Sequence, residues 1–321
     1  MSRRRVSSPQ RKSRHQGQER RVARAKSKRQ TADIPIETVS ATGKSPRFHR
    51  FIGVALGGGK TDKTCISVID YYPVQRKIFL SRLFDKIKTE GENSADAQVI
   101  RLITQCPPPV ESVAFDVPLQ LPICLTCPHR CPTRCPGYEE CQEPEILWMW
   151  KHYRAQVKKK SPPRLFTPYT ERCVEQYLQT ELEEPFHLSH ALGANLAPLT
   201  ARAQYLIRRL DLPVVEVFPK LSLWRIGNTL GLAKSHLRFH RHWEGGQSSR
   251  QTILNKMMDK NLAFIYDQDV KVLTESPQAF DAFVCALTGL LSFLGHCESR
   301  PKGFPRKESW IEIPKKIFPW P

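Results

Sequence analysis

Residues 110–122, VESVAFDVPLQLP, constrain the fold more than any other stretch of the chain. A short apolar run rich in valine and phenylalanine rises to one carboxylate, Asp116, and breaks at Pro118, the pattern of a buried strand that ends in an acid. Acids are poor strand formers and costly to bury. One placed where a core strand stops therefore points into a cleft, or else caps the turn made with Pro118.

A buried strand needs neighbours, and the preceding segments supply them. Residues 51–56, FIGVAL, and 64–71, TCISVIDY, are apolar runs flanking the glycine-rich turn GGGKTD, and residues 77–84 add a third strand-like piece, so a meander of antiparallel strands is expected. The run GGGKT is not a phosphate loop. That motif needs a glycine five residues before the Gly of GKT, and the position is Val54; the segment that follows is also strand-like rather than helical. Residues 94–105 place Ala95, Ala97, Ile100, Leu102 and Ile103 at helical intervals behind Ser94, a suitable N-cap. Such a helix would cross over and deliver the strand ending at Asp116 alongside the first strand.

The second half repeats the opening theme. Residues 191–210 read as a long helix with Ala203, Leu206, Ile207 and Leu210 on one face, and residues 213–219, PVVEVFP, form another apolar strand ending in an acid, Glu216, before a proline. Residues 234–243, KSHLRFHRHW, read as a solvated basic loop, with His236 and His240 at helical spacing a weaker metal-ligand alternative. Ser276 and Pro277 start a helix over residues 280–294 that is apolar almost all round, yet it carries Asp281. An acid in the second turn gains from the helix dipole, but a core-facing one with no cation nearby in sequence points to a metal partner.

Between the two halves lies CLTCPHRCPTRCPGYEEC, with Cys124, Cys127, Cys131, Cys135 and Cys141. Five thiols so closely spaced and punctuated by prolines are not explained by helix or strand packing. With no secretion signal, metal is favoured over a disulfide framework, and the spacing leaves zinc and an iron–sulfur cluster both open, with free or redox-paired thiols as the remaining reading. Residues 148–160 interleave Trp148, Trp150, His152 and Tyr153 with Lys151, Arg154 and three lysines, which suits either nucleic-acid stacking or an amphipathic helix packed by its tryptophans.

Charge sets the partner class. Residues 1–50 hold fifteen Lys or Arg against three acids, so this segment supplies most of the chain's net charge of +19. With no large apolar side chain in its first thirty residues after Met1, the segment has nothing to form a core, and residues 1–47 are expected to be a disordered polycationic tail suited to nucleic acid, although a nuclear or nucleolar address, an acidic protein partner or an anionic membrane surface would use the same composition. No apolar run follows the basic start as a signal peptide requires, and none approaches a membrane span, so a cytoplasmic location and no membrane partner are expected. DNA and RNA are not distinguished, and the oligomeric state is not encoded in any recognisable pattern.

Several motifs together resemble the domain-of-unknown-function family 429, predicted nucleases of the ribonuclease H-like superfamily. They are the glycine-turn hairpin, AFDVPLQLP, GANLAPLTARAQYL from Gly193, VVEVFPKLSL from Val214, DAFVCALTGLL from Asp281 and the closing SWIEIP, running from about residue 51 to 314. The resemblance implies an α/β, ribonuclease H-like domain over residues 48–321: an antiparallel hairpin meander, then parallel strands, flanked by helices; the Cys-rich insertion at 122–144 and the basic tail lie outside what it accounts for. It also implies a metal-dependent phosphodiesterase with Asp116, Glu216 and Asp281 as catalytic ligands of magnesium or manganese. Lys60, Asp62 and Lys220 are the candidate substrate contacts. Where the family shows an acid on the first strand, this chain reads Gly53, Val54, Ala55. That loss opens a second reading, a catalytically degenerate nucleic-acid-binding protein with a metal-stabilised Cys-rich loop.

Overall fold

The apolar runs of the first half supply four of the six strands of the sheet, and the order in which they pair follows from the connections between them. The computed structural model describes residues 47–58, 63–128, 134–157, 164–181 and 189–320. Apart from Arg47, the expected tail over residues 1–47 lies outside the described residues, as do Lys60, Asp62 and Cys131.

Strands β1 (His49–Ala55), β2 (Thr64–Tyr72) and β3 (Lys77–Ile87) pair antiparallel as a meander. Helix α1 (Ala95–Thr104) begins where Ser94 Oγ accepts the Ala97 N–H at 3.1 Å, and it returns the chain to β4 (Val110–Phe115), which lies parallel to β1. Four helices follow: α2 (Ile123–Thr126), α3 (Pro144–Val157), α4 (Cys173–Glu181) and α5 (Ala197–Ile207). Strand β5 (Val214–Glu216) pairs parallel to β4. Beyond it come α6 (Pro219–Leu230), α7 (Lys234–Phe239), α8 (Gly246–Asp259), the short β6 (Ala263–Phe264) parallel to β3, α9 (Asp267–Glu275) and α10 (Pro277–Phe293). The six-stranded mixed sheet runs β5-β4-β1-β2-β3-β6.

Alternation along the strands divides the core between the two faces of the sheet. Phe51 and Ala55 pack with α6, α8 and α10, while Ile52, Val54, Val113 and Phe115 pack with α1 and α5. Helix α10 is buried continuously from Ala279 to Leu291, which fits a helix apolar on every side. It can lie directly on β1 because residue 53 is glycine. A Cβ at Gly53 would sit 1.9 Å from the Ala282 carbonyl oxygen and 2.5 Å from the Ala286 nitrogen, both backbone atoms that no rotamer change can move.

Two expected elements differ from what forms, and for a third the structure favours one of two open readings. The helix expected over residues 191–210 is shorter, because its first residues make a turn at Gly193 and Pro198 sets the first helical turn. Residues 234–243 are not a solvated loop. They contain α7, whose Leu237 is buried against Gly227 of α6, and the buried His240. The aromatic stretch from Trp148 is α3, and Trp148, Trp150 and Tyr153 pack with Phe166 and Phe304 in a separate cluster, which favours the packed-helix reading.

Candidate active site

Because β1, β4 and β5 are parallel, their C-terminal ends meet at one edge of the sheet. Val54, Phe115 and Glu216 stand in register, and the chain continues to Ala55 and Asp116 one residue further on. Ligands of open α/β sheets bind in the crevice outside the carboxyl ends of parallel strands. Here that crevice is a cavity of about 260 Å³ lined by Asp116, Glu216, Arg172, Lys220, Arg241 and Gln278, among others.

Asp116 keeps partial exposure at the mouth of the crevice, and its Oδ1 accepts the Leu56 N–H at 2.8 Å, tying the ends of β4 and β1 together. Burial, reinforced by repulsion from Asp281 and opposed by the Leu56 N–H and Arg241, pushes the Asp116 carboxyl up to about 7. Asp281 is fully buried on α10, with Arg241 Nη1 2.9 Å from its Oδ2 and His240 Nε2 3.5 Å from its Oδ1. Both are charge contacts off the hydrogen-bond direction, and among the described residues neither Asp281 oxygen has a hydrogen-bond donor. One turn along α10, the Cys285 thiol is buried and held neutral, first by burial and then by the nearby acids.

Glu216 has a different environment. Arg172 grips it through two parallel bonds, Nη2 to Oε1 at 2.6 Å and Nη1 to Oε2 at 2.8 Å, and the Leu119 N–H also donates to Oε2 at 2.8 Å. Arg172 is itself buried and donates through Nε to Glu175 at 2.8 Å. Burial alone would lower the guanidinium's pKa, but Glu216 and Glu175 more than offset it and keep the charge in place. Glu308 completes the network by accepting the Cys173 and Val174 N–H groups at 2.8 and 2.6 Å, capping the start of α4. The structure thus links the crevice that Asp116 lines to the buried Asp281 through Arg241, which lines the one and contacts the other, and commits the Glu216 oxygens to Arg172 and the loop after Asp116.

Lys220 is exposed on the first turn of α6 and lines the crevice. Ala55 is fully buried among the side chains under α10. Of the thiols, Cys124, Cys127 and Cys135 are exposed and Cys141 is half-buried; all four are free. Burial and the neighbouring Cys141, Cys135 and Cys127 push the Cys124 thiol up to about 11. Among the described residues, no group of three or more His, Cys, Asp or Glu side chains is placed to hold a metal ion, and no helix is long and apolar enough to cross a membrane.

The sequence does not single out Arg172 or Arg241, and it offers His240 only as a metal ligand beside His236 rather than as a neighbour of Asp281. The only available cue was negative: a carboxylate on a buried strand end or core helix must meet a cation, and none lay nearby in the chain. The pairing of Arg172 with Glu216 spans 44 residues, and a single sequence carries no signal for it.

Fold and site together define the class: an α/β protein with an acid-lined crevice at the carboxyl ends of parallel strands. Residues 87–306 match the family described as "Protein of unknown function (DUF429)", and the chain belongs to that family. The match starts at the end of β3 and stops before SWIEIP, so it leaves out the glycine-turn hairpin and the closing motif. No curated protein and no solved structure matches the chain.

Proposed function

We propose that the crevice is the active site of a metal-dependent phosphodiesterase acting on nucleic acid, on a sheet of ribonuclease H-like topology. One observation carries the reading: Arg241, which lines the crevice beside Asp116, lies 2.9 Å from the buried Asp281, and among the described residues neither Asp281 oxygen has a hydrogen-bond donor. Magnesium is usually held by one or two carboxylates with water and substrate phosphates, so these residues fit a single magnesium or manganese ion. When bound, such an ion supplies Lewis acidity at the phosphoryl oxygens. The chain's own residues do the rest. Lys220 and Arg241 offer positive charge to a phosphate entering the crevice, the Leu56 N–H fixes the Asp116 carboxyl, and the Arg172–Glu216 pair holds the strand-end loop through Leu119. Glu216 acts here through position, because its oxygens are already engaged.

A second reading, a nucleic-acid-binding protein without catalysis, is favoured by Ala55, whose buried methyl group stands where the ribonuclease H-like resemblance implies an acid. In either reading the basic tail adds sequence-independent affinity, and the protein works in the cytoplasm on DNA or RNA. We also propose that Cys124, Cys127, Cys131, Cys135 and Cys141 hold zinc or an iron–sulfur cluster that braces the loop after Asp116. Their donor chemistry suits such a site, although the four described thiols are not gathered into one. The absorption spectrum of anaerobically purified protein with a metal assay decides this: absorption near about 400 nm marks iron–sulfur, a colourless sample with stoichiometric zinc marks zinc, and neither metal refutes the proposal.

The test of catalysis is cleavage of labelled single- and double-stranded DNA and RNA by the full chain with magnesium or manganese. Cleavage lost by about 100-fold or more in Asp116→Asn and in Asp281→Asn is expected. Absence of cleavage in the unaltered chain, or its survival in both variants, refutes catalysis and leaves the binding reading.

A further inference from the structure

The turn that follows α7 carries side chains that packing does not explain. Phe239 is 52% exposed and Trp243 84% exposed, although large aromatics stabilise a fold mainly by being buried. Between them, His242 meets the Phe239 ring edge-on at 5.9 Å and lies tilted against Trp243 at 6.3 Å. The turn is fixed from within: the His242 N–H donates to the Phe239 carbonyl at 2.8 Å. It is also fixed from below, where Leu237 and His240 are buried. The outward rings are therefore displayed on an anchored base.

Their surroundings are cationic. Lys234, Arg238 and Arg241 are exposed on the same short segment, which contains no acid from residue 234 to 243. Arg241 lies between Phe239 and Trp243 in sequence, lines the crevice, and touches Asp281 at 2.9 Å. Arg241 thus joins the segment that carries these rings to the candidate active site. Exposed rings interleaved with cations suit bases with free π-faces and a nearby phosphate backbone, whereas paired bases in a duplex keep those faces covered.

We propose that Phe239, His242 and Trp243 form a stacking platform for unpaired bases, with Lys234 and Arg238 contacting the phosphates, so that the crevice receives single-stranded nucleic acid. This rests on the reading of the crevice as a nucleic-acid site, but stacking is measured without cleavage. The experiment uses the full chain carrying Asp116→Asn, with fluorescence anisotropy of labelled oligothymidylate and oligouridylate of about 15 nucleotides and of a duplex of the same length. Adding Trp243→Ala or Phe239→Ala should weaken binding to a single strand by about fivefold or more. Duplex binding, carried by the tail and surface cations, should change by less than about twofold. Trp243→Phe should restore most of the single-strand affinity. Both side chains are exposed, so the fold should tolerate all three changes. Equal losses on single strand and duplex, or no loss on either single strand, overturn the platform; a loss on only one of the two oligonucleotides assigns it to DNA or to RNA. Failure of the cleavage assay leaves this result readable, and failure here leaves cleavage open.

Discussion

Asp116 and Glu308 are two carboxyl groups that folding drives toward protonation, each up to about 7 and each mainly through burial. In the unfolded chain both titrate near the ordinary carboxylate value of about 4. Folding therefore takes up protons between these limits. The stabilisation linked to them is complete below about pH 4 and is lost as pH rises through about 7. Chemical denaturation without divalent metal should show lower stability at pH 8 than at pH 5. Asp116→Asn should flatten that decline by about 2 kcal/mol, reduced from the full shift because the group keeps some solvent contact. Arg172 makes the opposite kind of prediction. Removing its charge in Arg172→Met leaves Glu216 and Glu175 buried without their cation, at a cost of about 3 to 5 kcal/mol in denaturant unfolding. Lysine should not rescue it, because an ammonium cannot make the two parallel bonds to Glu216 while reaching Glu175. At this scale the acids were legible in the sequence and their partners were not. Asp116, Glu216 and Asp281 announce themselves as charges in apolar runs, whereas Arg172 and Arg241 sit among other polar residues and become distinctive only through contacts made across the fold.

Among the elements, β1 and α10 form the contact on which the site depends. Gly53 removes the side chain that would strike the α10 backbone, and Asp281 is the residue just before Ala282, whose carbonyl lies in the way. Gly53→Ala should therefore push α10 off the sheet, costing about 3 kcal/mol or more by thermal or denaturant unfolding. It should also separate Asp281 from Asp116 before the protein unfolds. A fully stable Gly53→Ala protein would mean that the close approach is not needed. Periodicity made the strands, α1 and α10 legible, because each combines a clear apolar pattern with a capping or breaking residue. It misplaced the start of α5, where the helical spacing continues back through a turn. It also failed for α7, whose cations and histidines suggested solvent while Leu237 alone carried the packing signal.

At the scale of the whole molecule, the chain couples a sheet edge bearing two acids to a cationic, aromatic turn, and its basic surplus is concentrated in the first fifty residues. The mixed sheet was readable because two apolar strands, a third strand-like piece, a helix and a further apolar strand permit few arrangements under short, right-handed connections. The thiol run was equally visible in the sequence, but its spacing fits no standard ligand pattern and the described thiols, though neighbours, are not placed to hold an ion. The account turns on whether Asp116 and Asp281 together bind a divalent ion. Calorimetric titration of Mn²⁺ into the full chain decides this, since manganese prefers carboxylate oxygen to thiolate and so reads the crevice rather than the cysteines. A single ion per chain is predicted, with affinity at least about tenfold weaker in both Asp116→Asn and Asp281→Asn. No binding, or the same affinity in the variants as in the unaltered chain, would contradict it.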